Sequence, residues 1–413
     1  MAKKILTCID LFAGCGGLSL GLEQAGFRPL LFSELNSSAA ETYLANRTSH
    51  GIADYRDIYA LRDSALSGHL REWSDQGIED VDLVCGGPPC QGYSGIGHRR
   101  THKVTREEVP SNHLYKEMIR VIRKVRPKVF LFENVRGLLS GRWTPEGEKG
   151  EIWDDVLRSF EEIRGYTVRW KLVHAKDYGV PQNRPRVLMV GIRSDVAWSP
   201  NPALTASGLL PEPGPIAPNP VDVWGDLVDD DYLRKERTDQ YPHPPRSRFQ
   251  REMRTTRPGT VLRKGDELSE HEYSQHSARI RRKFIHMLKH GGEIPEEMQT
   301  KKFAQRVLPR IWGPGGPNIT ATSLADDYVH YEQPRSLTVR EWARLQTFPD
   351  WYQFRGPRTT GGSRRAGNPS EGNWDREVPK YTQIGNAVPV RLARAVGEHF
   401  KAILHRSSMR RSA

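Results

Sequence analysis

The sequence predicts an α/β protein: a doubly wound, mostly parallel sheet joined to a second, smaller domain. Three observations carry this. Short apolar segments alternate with helical ones over the first 190 residues. A glycine cluster, Gly14, Gly16 and Gly17, sits where the first strand turns into the first helix. After Arg193 the chain changes character and becomes rich in proline and arginine.

The elements follow in order. Residues 4–12 form an apolar strand and 18–25 a short helix closed by Gly26. Residues 27–33 form a second strand, and 37–46 a helix. Residues 81–85 are a short buried strand. Leu114, Met118, Ile119 and Ile122 recur at helical spacing, which predicts a helix over 113–125. Strands are expected at 129–132 and 187–192. Seven prolines between 200 and 220 exclude regular helix or central strand there. A basic stretch with scattered aromatics follows, including Arg246, Arg248, Phe249, Arg251, Arg254, Arg279, Arg281 and Arg282. Residues 355–376 read as a flexible loop, and 390–405 as a closing helix.

Composition narrows the function classes. The 413 residues carry 62 Lys and Arg against 50 Asp and Glu, a formal charge of +12, which favours a polyanionic partner. No apolar run reaches the roughly 18 residues of a membrane helix, and the first apolar run stops at Asp10, too early for a secretory signal. The expected location is the cytoplasm, with no membrane partner. The four cysteines, Cys8, Cys15, Cys85 and Cys90, contain no Cys-x-x-Cys pair, so no metal site is expected.

Three constellations carry chemistry. The first is the run from Asp10 to Gly17, where glycines let a ligand approach the backbone and a helix start offers free N–H groups. Glu34, at the end of the second strand, suits a pair of ribose hydroxyls, and Asp57, before Ile58, suits a further contact. The second is Gly86, Gly87, Pro88, Pro89 and Cys90 after a buried strand. The prolines fix φ, and the polar, glycine-rich turn suits a thiolate at Cys90. Cys8, Cys15 and Cys85 read as small buried hydrophobes. The third is Glu133, ending an apolar strand, where burial favours a carboxyl that holds and donates a proton. Arg184 and Arg186, at spacing two before a strand, face one side of an extended segment.

Together these stretches resemble the DNA (cytosine-5)-methyltransferase family, of the bacterial restriction-modification type. The matching runs, in the family's order, are 10–17, 87–91 with Cys90, 133–135, 182–186, 335–349 and 383–389. The resemblance implies an S-adenosylmethionine-dependent methyltransferase fold and methylation of C5 of cytosine in a short duplex sequence. It implies Cys90 as the nucleophile at cytosine C6, Glu133 as the contact to N3, Arg186 as the group holding base and Glu133, and Arg184 as support for that pocket. S-adenosylmethionine is then expected against Phe12, Gly14, Gly16, Gly17, Glu34, Asp57, Ile58, Pro89 and Leu114, with Asn386 and Val388 closing the site. The cytosine must be flipped from the duplex, and residues 92–111, with Arg99, Arg100, Lys103 and Arg106, are expected to close over it.

The same resemblance divides the chain into 1–192 for catalysis and cofactor, 193–350 for target recognition, 351–377 as a flexible insertion, and 378–413 returning to the catalytic domain. Residues 335–349 are expected to organise the recognition domain as an amphipathic helix. Leu35 stands where many relatives carry Trp, and 141–150 is extra. The expected partners are double-stranded DNA and a cognate restriction or phage-defence component, with the enzyme a monomer. A methyltransferase acting on transfer RNA shares most motifs, but the long basic region favours DNA. A scaffold that has lost activity is disfavoured by Cys90, Glu133 and Arg186.

Overall fold

In the computed structural model, residues 5–47, 51–89, 113–144, 146–196, 209–299, 305–313, 318–319, 327–359 and 377–411 are described. Cys90, the 92–111 segment and most of the 355–376 loop lie outside them.

Seven strands form one sheet in the order β3-β2-β1-β4-β5-β7-β6. They are β1 (Leu6–Leu11), β2 (Phe27–Ser33), β3 (Ala53–Tyr55), β4 (Leu83–Gly86), β5 (Val129–Val135), β6 (Tyr166–His174) and β7 (Pro185–Arg193). The pairs among β1 to β5 are all parallel, whereas β7 runs antiparallel to both β5 and β6. The sheet is therefore mostly parallel with one reversed strand.

Both faces are covered, as side-chain alternation requires of a buried sheet. Ile9, Leu11, Val84, Phe130 and Phe132 point to one face. There they meet α3 (Asp63–Asp75), α4 (Tyr115–Val125) and α5 (Glu151–Glu161) through Leu66, Trp73, Met118, Ile122, Ile152 and Phe160. Leu6, Cys8, Leu83, Cys85 and Leu131 point to the other. They meet Leu18 and Leu22 of α1 (Gly17–Ala25) and Leu392, Val396 and Phe400 of the last helix, Val390–Arg411. The remaining helices are α2 (Ser37–Ala45), α6 (Pro220–Trp224), α7 (Arg248–Arg254), α8 (Ala278–Lys289), α9 (Val339–Leu345) and α10 (Lys380–Asn386), which makes the last helix α11.

A Cβ at Gly21 would sit 2.4 Å from the carbonyl oxygen of Val390, so α1 and α11 approach closely only because that position is glycine. A second core gathers Trp224, Leu227, Tyr241, Phe249, Trp342, Phe348 and Tyr381, and it includes Cys15 and Leu20 from the start of the chain.

The sequence places an amphipathic helix over 335–349. The structure differs: α9 spans seven residues, and all seven are buried. Thr338 and Glu341 form a capping box at its start. Its charges survive burial because each has a partner. Arg335 makes a forked pair with Glu341, both bonds 2.7 Å. Arg344 reaches Asp226 and Asp350, each at 2.6 Å. Arg340 donates to the carbonyls of Pro349 and Tyr352. The helix is thus a charged pin through the second core, not a surface element with one apolar face.

Candidate active site

In an open α/β sheet, loops at the carboxyl ends of parallel strands gather on one edge. The ends of β1, β2, β4 and β5 meet there. Because β7 is reversed, its start arrives at the same edge, with Arg186 opposite Val135 and Leu188 opposite Glu133. Arg186 and Glu133 are diagonal neighbours on one face of the sheet, within reach of long side chains. Arg186 Nε lies 2.5 Å from Glu133 Oε1, and both residues are buried.

The turn after β4 is pressed onto this pair. A Cβ at Gly87 would fall 2.7 Å from Glu133 Oε2. Asn134 Nδ2 donates to the Pro88 carbonyl at 3.1 Å. Pro89 is half-buried, and the next residue in the chain is Cys90. Cys8, Cys15 and Cys85 are all buried. Burial pushes each thiol's pKa up, that of Cys15 to about 12, so none of these three is a nucleophile near neutral pH.

Arg184 and Arg186 lie close enough that the charge of Arg186, second to burial, pushes the Arg184 guanidinium's pKa down. Their partners differ, however. Arg184 Nη1 donates to the Ile319 carbonyl, and Nη2 to the Gly385 carbonyl at 2.5 Å. Of the two arginines, Arg186 engages Glu133 and Arg184 engages backbone.

The glycine turn after β1 forms a cradle. Phe12, Gly14 and Gly16 all have positive φ, at 58°, 56° and 84°. A Cβ at Gly14 would meet no atom within 4 Å, so space lies open above it. Gly17 is fixed by packing, since a Cβ there would lie 2.4 Å from the Val388 carbonyl oxygen. Glu34 Oε2 accepts from the Gly14 N–H at 2.9 Å, and Oε1 accepts from the Asn36 N–H at 2.8 Å. The carboxylate is thereby held at the mouth of the cradle with lone pairs to spare. Burial raises its pKa, and the two N–H bonds oppose that rise.

Asp57 is exposed and accepts from the Tyr59 N–H at 2.9 Å, while Ile58 beside it is buried. Leu114 is half-buried and caps α4. Asn386, at the end of α10, is exposed. Leu35 is 75% exposed, an apolar surface next to Glu34. The residues present fit a nucleoside-bearing cofactor: an open glycine cradle, an oriented carboxylate and flanking apolar side chains.

Sequence reading gave no role to several residues here. Asp10 lies under the glycine turn, accepts from Ser19 Oγ at 2.6 Å, and has its pKa raised by burial to about 7. A carboxylate closing an apolar strand was the available signal. Gln182 is buried and bonds across to Leu345, Gln346 and Ile319. It stands in a motif read for its arginines.

A model of the C-5 cytosine-specific DNA methylases matches residues 6–402. The chain belongs to that family. It is a DNA (cytosine-5)-methyltransferase. It is 32% identical to the type II methyltransferase M1.HphI of Haemophilus parahaemolyticus, covering 95% of this chain and 86% of that one. It is 31% identical to M.DdeI of Desulfomicrobium norvegicum, covering 95% and 88%. A DNA modification methyltransferase encoded within an E. coli prophage superposes with a TM-score of 0.66 at 22% identity, covering 97% of this methyltransferase and 99% of that chain. The mostly parallel sheet and two helical layers are thus those of a methyltransferase. No described helix is long and apolar enough to cross a membrane.

Proposed function

We propose that this methyltransferase modifies C5 of a flipped-out cytosine in a short duplex sequence through a covalent Cys90–C6 adduct. The observation that carries the reading is the Arg186–Glu133 pair, pressed against the Gly87–Pro88–Pro89 turn that leads into Cys90. Cytosine C5 is a weak nucleophile. Addition of the Cys90 thiolate to C6 makes an enamine and gives C5 the electron density to attack an electrophile. Glu133 contacts N3 and stabilises the adduct that forms as C6 is attacked. Arg186 fixes the Glu133 carboxyl and holds the base. Arg184 supports the same pocket from behind. Loss of the C5 proton to a base then expels Cys90 and restores the aromatic ring.

S-adenosylmethionine, when bound, supplies the electrophilic methyl group. Glu34 would accept from its ribose hydroxyls. Phe12, Gly14, Gly16, Gly17, Asp57, Ile58, Pro89 and Leu114 would line its site, with Asn386 and Val388 closing it. The proposed division is 1–192 and 378–413 for catalysis, 193–350 for target recognition and 351–377 as an insertion. The second core is built mainly from residues of 193–350 and is continuous with Cys15, Leu20, Tyr381 and Val390 of the catalytic segments. The restriction-modification names of the relatives support a cognate nuclease as partner, and the enzyme is proposed to act in the cytoplasm as a monomer.

The test is transfer of labelled methyl from S-adenosylmethionine to unmethylated duplex DNA, with transfer RNA and the Cys90→Ala protein in parallel. Label in DNA that depends on Cys90 supports the reading, and bisulfite sequencing then names the site. Label in RNA alone, or label independent of Cys90, refutes it.

A further inference from the structure

The two lobes are joined by side chains that bind backbone. Ile319, fully buried, belongs to the second core. Its N–H donates to Gln182 Oε1 at 3.2 Å, and its carbonyl accepts from Arg184 Nη1. One peptide segment is therefore gripped on both polar groups by residues just ahead of β7. The grip extends further. Gln182 Nε2 donates to the Leu345 carbonyl at 2.9 Å and to Gln346 Oε1 at 2.8 Å. Gln346 Nε2 in turn donates to the carbonyls of Ile384 and Ala387 at 2.8 and 3.1 Å. Arg184 Nη2 reaches the Gly385 carbonyl between them.

A second grip lies on the cofactor side. Asn46 Nδ2 donates to the Gln353 carbonyl at 2.8 Å, and Asn46 Oδ1 accepts from the Gln353 N–H at 3.0 Å. Both devices copy the pairing of a β-ladder with a side chain, and so fix a backbone segment in register. Only Pro185 separates Arg184, which holds Ile319, from Arg186, which holds Glu133.

We propose that Gln182 and Arg184 are positioning residues: a backbone clamp that keys the second lobe to the Glu133–Arg186 pair and so sets discrimination between DNA sequences. The proposal rests on the functional reading above. A lobe held in register presents its base-reading groups at a fixed distance from the cytosine pocket. A lobe that slips accepts wrong sequences and binds the right one less well. Burial supports a device with this purpose. Gln182 and Arg184 are 1% and 2% exposed, and the fork of Arg184 is used on carbonyls rather than on a carboxylate.

The test uses full-length Gln182→Met, Arg184→Lys and Arg184→Met proteins. Hydrogen exchange reads the clamp directly. In Gln182→Met the Ile319 amide should exchange at least tenfold faster, with β1, β4 and β5 unchanged. Steady-state methylation reads its consequence. KM for the cognate duplex should rise about tenfold in Gln182→Met while kcat stays within about threefold. The ratio of cognate to one-base-altered methylation should fall about tenfold in Gln182→Met and in Arg184→Met, and Arg184→Lys, which keeps a donor for one carbonyl, should fall between Arg184→Met and wild type. Unchanged exchange at Ile319 overturns the clamp. A fall in the kcat of Gln182→Met with KM and the ratio unaltered overturns the positioning role. A wild-type protein that transfers no methyl to DNA would sink the functional reading, whereas the exchange arm would still decide the clamp.

Discussion

Glu34 offers a measurement whose size follows from two hydrogen bonds. Each carboxylate oxygen already accepts one backbone N–H, from Gly14 and from Asn36. The remaining lone pairs are those expected to meet the ribose. In Glu34→Ala both ribose bonds disappear. Hydrogen bonds to a charged group are worth about 1.5–3 kcal/mol each, but Glu34 is only partly buried and water competes. The expected loss is about 1–3 kcal/mol, or roughly 5- to 150-fold in the Kd for S-adenosylmethionine. Glu34→Gln is the sharper variant. Both oxygens face N–H donors, so the amide NH2 must oppose one donor whichever way it turns, and the shape-conserving change should still weaken binding about tenfold. Calorimetric titration with S-adenosylmethionine reads both. Because burial raises this carboxyl's pKa, binding should weaken on acidification at a higher pH than an ordinary glutamate would allow. A Kd unchanged in both variants would remove Glu34 from the cofactor site.

Further outcomes follow from the same geometry. Cys90→Ala should abolish turnover while S-adenosylmethionine still binds; methylation at the wild-type rate would refute the nucleophile. Gly87→Ala places a methyl 2.7 Å from Glu133 Oε2, so kcat should fall at least tenfold, about 1.4 kcal/mol, with cofactor affinity intact. Arg186→Met leaves Glu133 buried without its partner and should cost about 3–5 kcal/mol of stability; Glu133→Leu in the same chain should recover part of the melting temperature and none of the activity. His271 and His330 are buried, and burial lowers their pKa to about 4 and about 3. The unfolded chain takes up these protons first, so stability is full above about pH 6.5 and is lost as pH falls toward 4, by roughly 3 kcal/mol for His271. Thermal melts in which His271→Gln shows the same pH slope as wild type would exclude that histidine.

The sequence made legible what depends on local pattern. The strand at 27–33 matches β2 residue for residue, because an apolar run between Gly26 and the polar stretch after Ser33 has clear ends. The helix at 113–125 begins two residues later than expected, at Tyr115. Buried Cys8, Cys15 and Cys85 follow from their apolar neighbours. What depends on pairing was not legible. The segment 187–192 reads as a strand, yet nothing local says that it runs antiparallel to β5, and that reversal is what brings Arg186 to Glu133. β6 carries partly buried polar residues in an edge position and gives no clean alternation. The 335–349 run invites an amphipathic reading because its charges look solvated. They are buried, and Arg344 finds its partner in Asp226, more than a hundred residues earlier. Arg184 and Gln182 likewise bond to backbone atoms far along the chain, which no spacing rule anticipates.

The packing of α1 against α11 has a consequence for the order in which the enzyme comes into being. α1 is synthesised long before α11, yet Leu18 and Leu22 share one core with Leu392, Val396 and Phe400. Contacts this distant in sequence close late and slow the search for the native state. The glycine cradle is made early, but the Val388 carbonyl that closes down on Gly17 comes only after α10. A chain with its nucleophile turn already synthesised therefore still lacks the carbonyl that packs against the glycine cradle.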